Sequence, residues 1–296
     1  MRRIFLGGFF LLSLILIIYN KQNKTSIQHT QQPAQALKTT KAPEIEVVAT
    51  GIKRPHGIGF HNGVVYVSSE TDKALYKVRE GKVERFVKLN FPHDMIFEAD
   101  GSIITPVFNE NRVVRISPEG KITTLYSNFD GPNGIAYSKF GYMYVSNYNN
   151  SRVLTTRDET TFTDMTVRTL DGYAGLAYDA DRNFLWVAGY LGNSISGYGL
   201  GDKNASVQRP RTFYAKLEGV THPESIYIKG GERNLLLVTA VKNGKGVVIE
   251  TNHLGKYKVV LETDLPDPLV GYFTDNGYVY LVSPNDAEGR ILKAKL

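Results

Sequence analysis

Six short segments of the chain place a residue that could do chemistry at the same position of a recurring pattern. Each segment opens an apolar stretch, and five of the six begin with proline. Two imidazoles, an amide and a carboxylate stand among the second residues, which could hold a divalent metal ion or move a proton if they converge. The second residues are, in chain order, His56, His93 (followed by Asp94), Asn133, Ala174, Glu224 and Leu269.

The elements that position these residues form a repeat of β-strands. The six segments are separated by 37, 40, 41, 50 and 45 residues, and each is followed by a second apolar stretch with strand character. A period near 40 residues built only of strands is typical of a β-propeller blade. The sequence therefore predicts an all-β fold, a six-bladed β-propeller over residues 44–296. The segments are PHGIGF (55–60), PHDMIF (92–97), PNGIAY (132–137), YAGLAY (173–178), PESIYI (223–228) and PLVGYF (268–273).

The two ends of the repeat predict how the ring closes. The last blade stops one strand short, whereas residues 44–50, EIEVVAT, form an alternating stretch that precedes the first blade. We expect this stretch to be the missing strand of the last blade, because closure removes exposed sheet edges. Hairpin turns are predicted at Asn62-Gly63, Asp100-Gly101 and Asn276-Gly277, where the residue types tolerate positive φ.

This architecture predicts where a site lies. The first strands of a propeller surround the central channel and run in one direction, so their starts share one mouth of the channel. Loops between second and third strands open there too and add Glu70 and Tyr190. We expect His56 and His93 to act as catalytic bases, and Asn133, Glu224, His93 and Asp94 to hold a calcium or zinc ion. The alternative for each is a local role, since Asn and Asp cap turns and a histidine can bond a nearby carbonyl.

The N-terminal part differs from the repeat. Arg2 and Arg3 precede an uncharged, mostly apolar run at 4–19, and residues 20–43 are polar and poor in large apolar side chains. A positive start before an apolar run indicates export. We predict a signal-anchor or signal peptide at 1–19 and a flexible linker at 20–43. The propeller would then be extracytoplasmic, membrane-anchored through its N-terminal segment only, or secreted or periplasmic if the signal is cleaved.

Charge and cysteine content exclude several classes of function. The chain has 35 basic and 29 acidic residues, and six of the basic ones lie in the first 41 residues, which contain no acid. The rest is therefore balanced, and no nucleic-acid partner is expected. With no cysteine, disulfides, thiol nucleophiles and Cys-ligated metal centres are excluded. Asn-x-Ser/Thr acceptor sites for glycosylation occur at Asn23, Asn149 and Asn204.

Two stretches carry a family resemblance. RPHGIGFHNGVVYVSS (54–69) and PNGIAYSKFGYMYVSN (132–147) resemble blades of the gluconolactonase/luciferin-regenerating, strictosidine-synthase-like and paraoxonase (arylesterase) superfamily, and are also similar to NHL-type repeats. The resemblance covers about residues 44–296. It implies a six-bladed propeller with a metal ion, usually calcium, in the channel, held by Asn and acidic residues at the starts of first strands.

The resemblance also implies roles for single residues. Asn133 matches the Asn of the family's NG motif, and His93 and Asp94 fall where paraoxonases carry an Asn-Asp pair. His56 matches the histidine of their PHG motif, and Glu70 replaces the second histidine of their dyad.

At two further positions the sequence departs from this pattern. Ala174 stands where the family has an acidic ligand, and no carboxylate stands near Leu269. Two functional classes follow. The first is a metal-assisted hydrolase or lactonase acting on a small molecule at the channel mouth. The second is a non-catalytic propeller that binds a ligand or an envelope protein.

Overall fold

The computed structural model describes the propeller part of the chain. The predicted signal-anchor or signal peptide at 1–19 and residues 20–42 of the predicted linker lie outside the described residues. Within the described part, no helix is long and apolar enough to cross a membrane. The described residues are 43–296 except 159–160, 167–168, 201–210, 231–234 and 275.

The described residues form six four-stranded antiparallel sheets, which confirms the predicted six-bladed β-propeller. Within the described part, one 3₁₀ turn, Phe108–Glu110, lies between strands of the second blade. In chain order the strands of the first half are β1 (Ile45–Ala49), β2 (Pro55–His61), β3 (Val64–Ser69), β4 (Ala74–Arg79), β5 (Lys82–Lys88), β6 (Ile96–Phe97), β7 (Ile103–Val107), β8 (Arg112–Ile116), β9 (Ile122–Ser127), β10 (Pro132–Tyr137), β11 (Met143–Asn147) and β12 (Arg152–Thr156). Those of the second half are β13 (Thr163–Asp164), β14 (Tyr173–Asp179), β15 (Phe184–Gly189), β16 (Ser194–Gly199), β17 (Phe213–Lys216), β18 (Ile226–Gly230), β19 (Leu235–Lys242), β20 (Lys245–Thr251), β21 (Tyr257–Glu262), β22 (Val270–Phe273), β23 (Tyr278–Val282) and β24 (Ile291–Lys295).

The ring closes as the sequence predicts. Blades 1 to 5 take their strands consecutively from β2 to β21, whereas the sixth sheet has the order β1-β24-β23-β22. Ile45 pairs with Ala294, and Ala49 pairs with Ile291 after a bulge. The N-terminal strand thus covers the outer edge of the last blade, which would otherwise be open to pairing with another chain.

The hydrophobic core lies between blades rather than within them. Six buried clusters are present, and each joins side chains of two neighbouring blades. Ile52 and Val282 of blade 6, for example, pack with Val67 of blade 1. Burial of such a side chain contributes about 1.5–3 kcal/mol, so each blade is stabilised mainly by its neighbours.

The first strands lie unusually close to one another at their starts. A Cβ on Gly57 would lie 1.8 Å from the carbonyl oxygen of His93 in the next blade, and one on Gly175 would lie 2.3 Å from that of Glu224. Glycine is therefore required there for a close backbone approach. This approach brings the second residues of adjacent segments together. Strand register also shifts at this point in three blades, between Pro55 and Ile58, Pro132 and Ile135, and Tyr173 and Leu176.

Hydroxyl groups on the second strands connect adjacent blades around the channel. Ser146 Oγ accepts a hydrogen bond from the Gly134 amide at 2.7 Å and donates one to the Ala174 carbonyl of the next blade at 2.6 Å. Thr239 Oγ1 likewise donates to the Leu269 carbonyl at 3.0 Å. Because these groups are buried and satisfied, they hold the starts of the first strands in place.

Candidate functional site

A cleft of roughly 170 Å³ opens at the starts of the first strands. We call it the upper cleft. It brings together four of the predicted site residues, each from a different blade: His56, His93, Asn133 and Glu224. Its full lining is His56, Glu70, Phe91, His93, Phe108, Asn133, Tyr148, Tyr190, Glu224 and Pro268.

The rings of the two histidines are in contact in the upper cleft and are tilted relative to each other. Their ring centroids are 3.8 Å apart with an interplanar angle of 35°, and the His93 ring stacks on Phe108 at 4.6 Å. Nδ1 of His56 and both ring nitrogens of His93 are buried and make no hydrogen bond of good geometry within the protein, although the Asn133 side chain lies close enough to His93 to influence its pKa. Buried polar atoms are normally paired, so these nitrogens are suited to bind a ligand.

Both imidazoles are neutral at physiological pH. Burial, followed by the nearby Arg54 guanidinium, lowers the pKa of His56 to about 4. Burial, followed by the neighbouring His56, lowers the pKa of His93 well below its usual value, and the Asn133 side chain opposes this shift. Each ring therefore has one nitrogen able to accept a proton.

An ion pair borders the upper cleft beside His56. Glu70 Oε2 lies 3.1 Å from Nη2 of Arg54, and Glu70 Oε1 lies 3.9 Å from Nε2 of His56. Burial raises the pKa of Glu70, and Arg54 acts in the opposite direction. Arg54 also donates to the carbonyl of Pro284 at 3.3 Å. The buried carboxylate is therefore paired with the guanidinium, whose side chain is 58% exposed, and lies beside His56 without a hydrogen bond to it.

The pKa of Glu224 is shifted in the opposite direction to those of the two histidines. Burial, followed by the carboxyl of Asp94, raises the pKa of Glu224 to about 8, and the Asn133 side chain opposes this shift. The carboxyl is therefore mostly protonated at pH 7 and can donate a hydrogen bond or a proton. A neutral imidazole and a protonated carboxyl in one cleft form a base and an acid whose pKa values burial has moved in opposite directions.

Asp94 does not join His93 in the upper cleft. Its Oδ1 accepts from the Met95 amide at 2.8 Å and its Oδ2 from the Ile135 amide at 3.4 Å. The side chain lines a second cavity of roughly 150 Å³, whose other walls come from residues further along the first strands. His93 and Asp94 precede strand β6 and line different cavities; whether both help to hold a metal ion stays a prediction. Burial raises the pKa of Asp94 to about 6.

The donor atoms of the upper cleft do not fit a calcium or zinc centre. Among the described residues, no group of three His, Asp or Glu side chains is placed to hold one ion. Calcium takes six to eight oxygen ligands, whereas Glu70 is bound to Arg54, and Ala174 and Leu269 contribute no oxygen from their side chains. Zinc requires three or four converging donors, and no such group of His, Asp or Glu side chains occurs among the described residues. We therefore assign no step to a metal.

Four cleft residues were not expected from the sequence: Phe91, Phe108, Tyr148 and Pro268. Phe108 and Tyr148 directly follow second strands β7 and β11, at the position that Tyr190 occupies after β15. The sequence contains a signal for them, because an alignment of the repeats on the last residue of each second strand places Phe108, Tyr148 and Tyr190 at the same position. His222, beside Glu224 in the sequence, lies behind Tyr190 with ring centroids 4.5 Å apart.

Solved structures with this arrangement include several enzymes. A gluconolactonase from Xanthomonas campestris matches with a TM-score of 0.70 and 13% identity, over 86% of this chain and 90% of that one. A luciferin-regenerating enzyme matches with 0.67 and 12%, over 86% and 96%. Virginiamycin B lyase from Staphylococcus aureus matches with 0.59 and 14%, over 86% and 99%. This chain has their six-bladed propeller fold.

The comparisons confirm the expected resemblance at the level of the fold. A chain of the nidogen/laminin complex also matches, with a TM-score of 0.57 and 17% identity over 71% of this chain and 81% of that one. No family model matches the chain. No curated protein sequence matches it either. At these identities the likeness does not extend to a reaction.

Proposed function

We propose that the chain is a metal-independent acid–base enzyme, of hydrolase or lyase type, that acts on a small molecule in the upper cleft. One observation carries the proposal: buried, neutral imidazoles, with nitrogens that make no hydrogen bond of good geometry, lie in the same cleft as a buried, protonated carboxyl. Such an arrangement contains a proton acceptor and a proton donor at pH 7 before any substrate binds.

Hydrolysis of a lactone shows how the residues would act. His93 accepts a proton from water while the water oxygen bonds to the carbonyl carbon. Asn133, beside both groups, donates a hydrogen bond to the carbonyl oxygen as negative charge develops there. Glu224 donates its proton to the ring oxygen as the carbon–oxygen bond breaks. Transfer of the proton from His93 to Glu224 then restores the starting state.

Elimination uses the same two groups. His93 would accept a proton from the carbon next to a carbonyl group, the electron pair would form a double bond, and Glu224 would protonate the leaving oxygen. In both reactions His56 acts as a positioning residue, because its ring contacts that of His93. The fold is consistent with either class, since a gluconolactonase and a lyase share it.

The test is turnover of a panel of small lactones, esters and β-acyloxy carbonyl compounds by the full chain in detergent, with a chelator present. His93→Gln and Glu224→Gln should each lower turnover about 10²–10⁴-fold. His61→Gln is the matched control, because His61 stacks on Phe97 at the far end of β2, and it should leave turnover unchanged. Turnover that survives both cleft substitutions, or that requires a metal, would contradict the proposal.

Binding without turnover would favour the second functional class. Wild-type protein that binds panel compounds through His93 and Glu224 but releases them unchanged would be a ligand-binding propeller. The match to a chain of the nidogen/laminin complex supports this class, because a similar fold occurs in a protein–protein complex.

We further propose that residues 1–19 tether the propeller to a membrane on its extracytoplasmic side. The two arginines and the uncharged apolar run that follows them support this proposal, because a positive start before an apolar run indicates export. Alkaline extraction should leave the full chain in the membrane fraction and release a chain that starts at Ala42.

A further inference from the structure

The wall of the upper cleft is an arc of aromatic rings from three blades. The rings of Phe108 and Tyr148 have centroids 6.1 Å apart at 61°, and those of Tyr148 and Tyr190 have centroids 5.8 Å apart at 64°. Phe91 continues the arc at 6.3 Å from Phe108. His222 covers one face of Tyr190 at 4.5 Å, which fixes that ring. The arc therefore presents several preformed π surfaces to a ligand in the cleft.

The charged groups near this arc are mostly acidic. Glu70 and Glu224 line the cleft, and none of the described lining residues is Lys or Arg. Burial and then Glu224 raise the pKa of Tyr148, and burial, Glu224, Tyr148 and Asp267 raise that of Tyr190. Glu224 lines the same cleft as both tyrosines. Arg54, the nearby cation, is outside the cleft lining and bound to Glu70.

We propose that the upper cleft binds an alkylammonium head group against the faces of Tyr148 and Tyr190, with the Glu224 carboxyl beside it. Aromatic faces attract cations through their quadrupole, and quaternary ammonium groups are recognised by cages of such rings. This inference rests on the proposed function and names the substrate class: a small carbonyl compound that carries a cationic head group. Its carbonyl end would then lie toward His93 and Asn133.

Other ligand classes suit the lining less well. An anionic ligand would lie in the same cleft as the Glu70 carboxylate, without a basic side chain in the lining to pair with it. A purely apolar ligand would leave the buried nitrogens of His56 and His93 without a hydrogen bond of good geometry, which is unfavourable. A cation with a carbonyl group satisfies both the aromatic and the polar parts of the cleft.

The test compares two ligands of the same shape, choline and its uncharged carbon isostere 3,3-dimethyl-1-butanol, by calorimetry on the full chain. Choline should bind at least tenfold more tightly. Tyr148→Leu and Tyr190→Leu should each weaken choline binding at least fivefold, whereas Tyr148→Phe and Tyr190→Phe, which keep the ring face, should retain it. Phe140→Leu is the control, because Phe140 is an exposed ring in the β10–β11 hairpin at the other end of the blade. The Phe variants also show whether loss of binding in the Leu variants reflects the ring rather than the fold.

Equal affinity for the two ligands, no binding of choline, or an undiminished choline preference in the Leu variants would overturn the inference. Turnover separates this outcome from failure of the proposed function. Turnover of neutral esters that depends on His93, with no effect of choline, would remove the head-group inference and leave the enzyme. Choline binding with the expected pattern of variants, but no turnover of choline esters or neutral esters, would support the head-group site and remove the enzyme.

Discussion

Replacement of Gly57 by alanine should damage the upper cleft although Gly57 is not among its lining residues. Gly57 lies at the bulge of β2, where the first strand of blade 1 approaches blade 2. A Cβ at this position would be 1.8 Å from the carbonyl oxygen of His93, 2.7 Å from its carbonyl carbon and 3.0 Å from Ser68 Oγ. Since side-chain carbons do not approach an oxygen closer than about 3 Å, the contact must open by more than about 1 Å. The start of blade 2 would have to move with His93.

The expected size of the effect follows from two costs. Forcing an extra methyl group into a packed site costs about 1–3 kcal/mol, occasionally more. The Gly57 amide also donates to Ser68 Oγ at 2.5 Å, and a strained or lost buried hydrogen bond adds about 1 kcal/mol. We expect the free energy of unfolding to fall by about 2–4 kcal/mol. A displacement of His93 by about 1 Å should also lower turnover about 10²-fold.

The assay combines urea unfolding with turnover of the best substrate from the panel. Gly199→Ala provides the matched control, because a Cβ on Gly199 would meet its nearest atom at 3.5 Å, an ordinary contact, with no positive φ. It should be neutral or slightly stabilising. If Gly57→Ala unfolds within about 0.5 kcal/mol of wild type and keeps full turnover, the first strands can shift freely. The argument that glycine contacts position the cleft would then be wrong.

Three further predictions concern protonation, closure and metal. Because the pKa of Glu224 is raised from 4.5 to about 8, the folded state binds more protons than the unfolded state between these values. The free energy of unfolding should therefore fall as pH rises through this window, and urea titrations of Glu224→Gln should show a smaller fall. A chain that starts at Ile52, which lacks β1, should melt at least about 5 °C below one that starts at Ala42; equal melting temperatures in calorimetry would refute closure by β1. Added Ca²⁺ or Zn²⁺ should not raise the melting temperature of the full chain, and a metal-dependent rise would restore the metal centre expected from the sequence.

The sequence was sufficient for the architecture because each blade repeats its own local signals. The second residues of the six segments were found from the repeat alone, and the structure brings His56, His93, Asn133 and Glu224 to one cleft. The closing strand could be predicted because an alternating stretch stood at one end and a strand was missing at the other. These are inferences about register within a repeat, which does not depend on the details of packing.

The details of the cleft depend on distances that the repeat does not encode. Asp94 lines a different cavity from His93 because its carboxylate accepts hydrogen bonds from the Met95 and Ile135 amides, and the repeat does not encode these contacts. The contact between the His56 and His93 rings requires the close approach at Gly57, which is visible only when the blades are assembled. Phe108 and Tyr148 were missed because aromatic residues after a strand are usually read as packing between blades.

Burial is the main factor that sets the protonation states in the upper cleft. The low pKa of His56 and His93 and the high pKa of Glu224 share desolvation as their largest cause. Desolvation disfavours any charge, so at pH 7 the Glu224 carboxyl is mostly protonated and the imidazoles are neutral. A substrate with a positive head group then adds charge beside the aromatic faces. A reaction that transfers one proton to His93 and another from Glu224 creates opposite charges on these two residues, with Asn133 already in place. The burial that keeps these groups uncharged therefore also makes them a suitable acid and base.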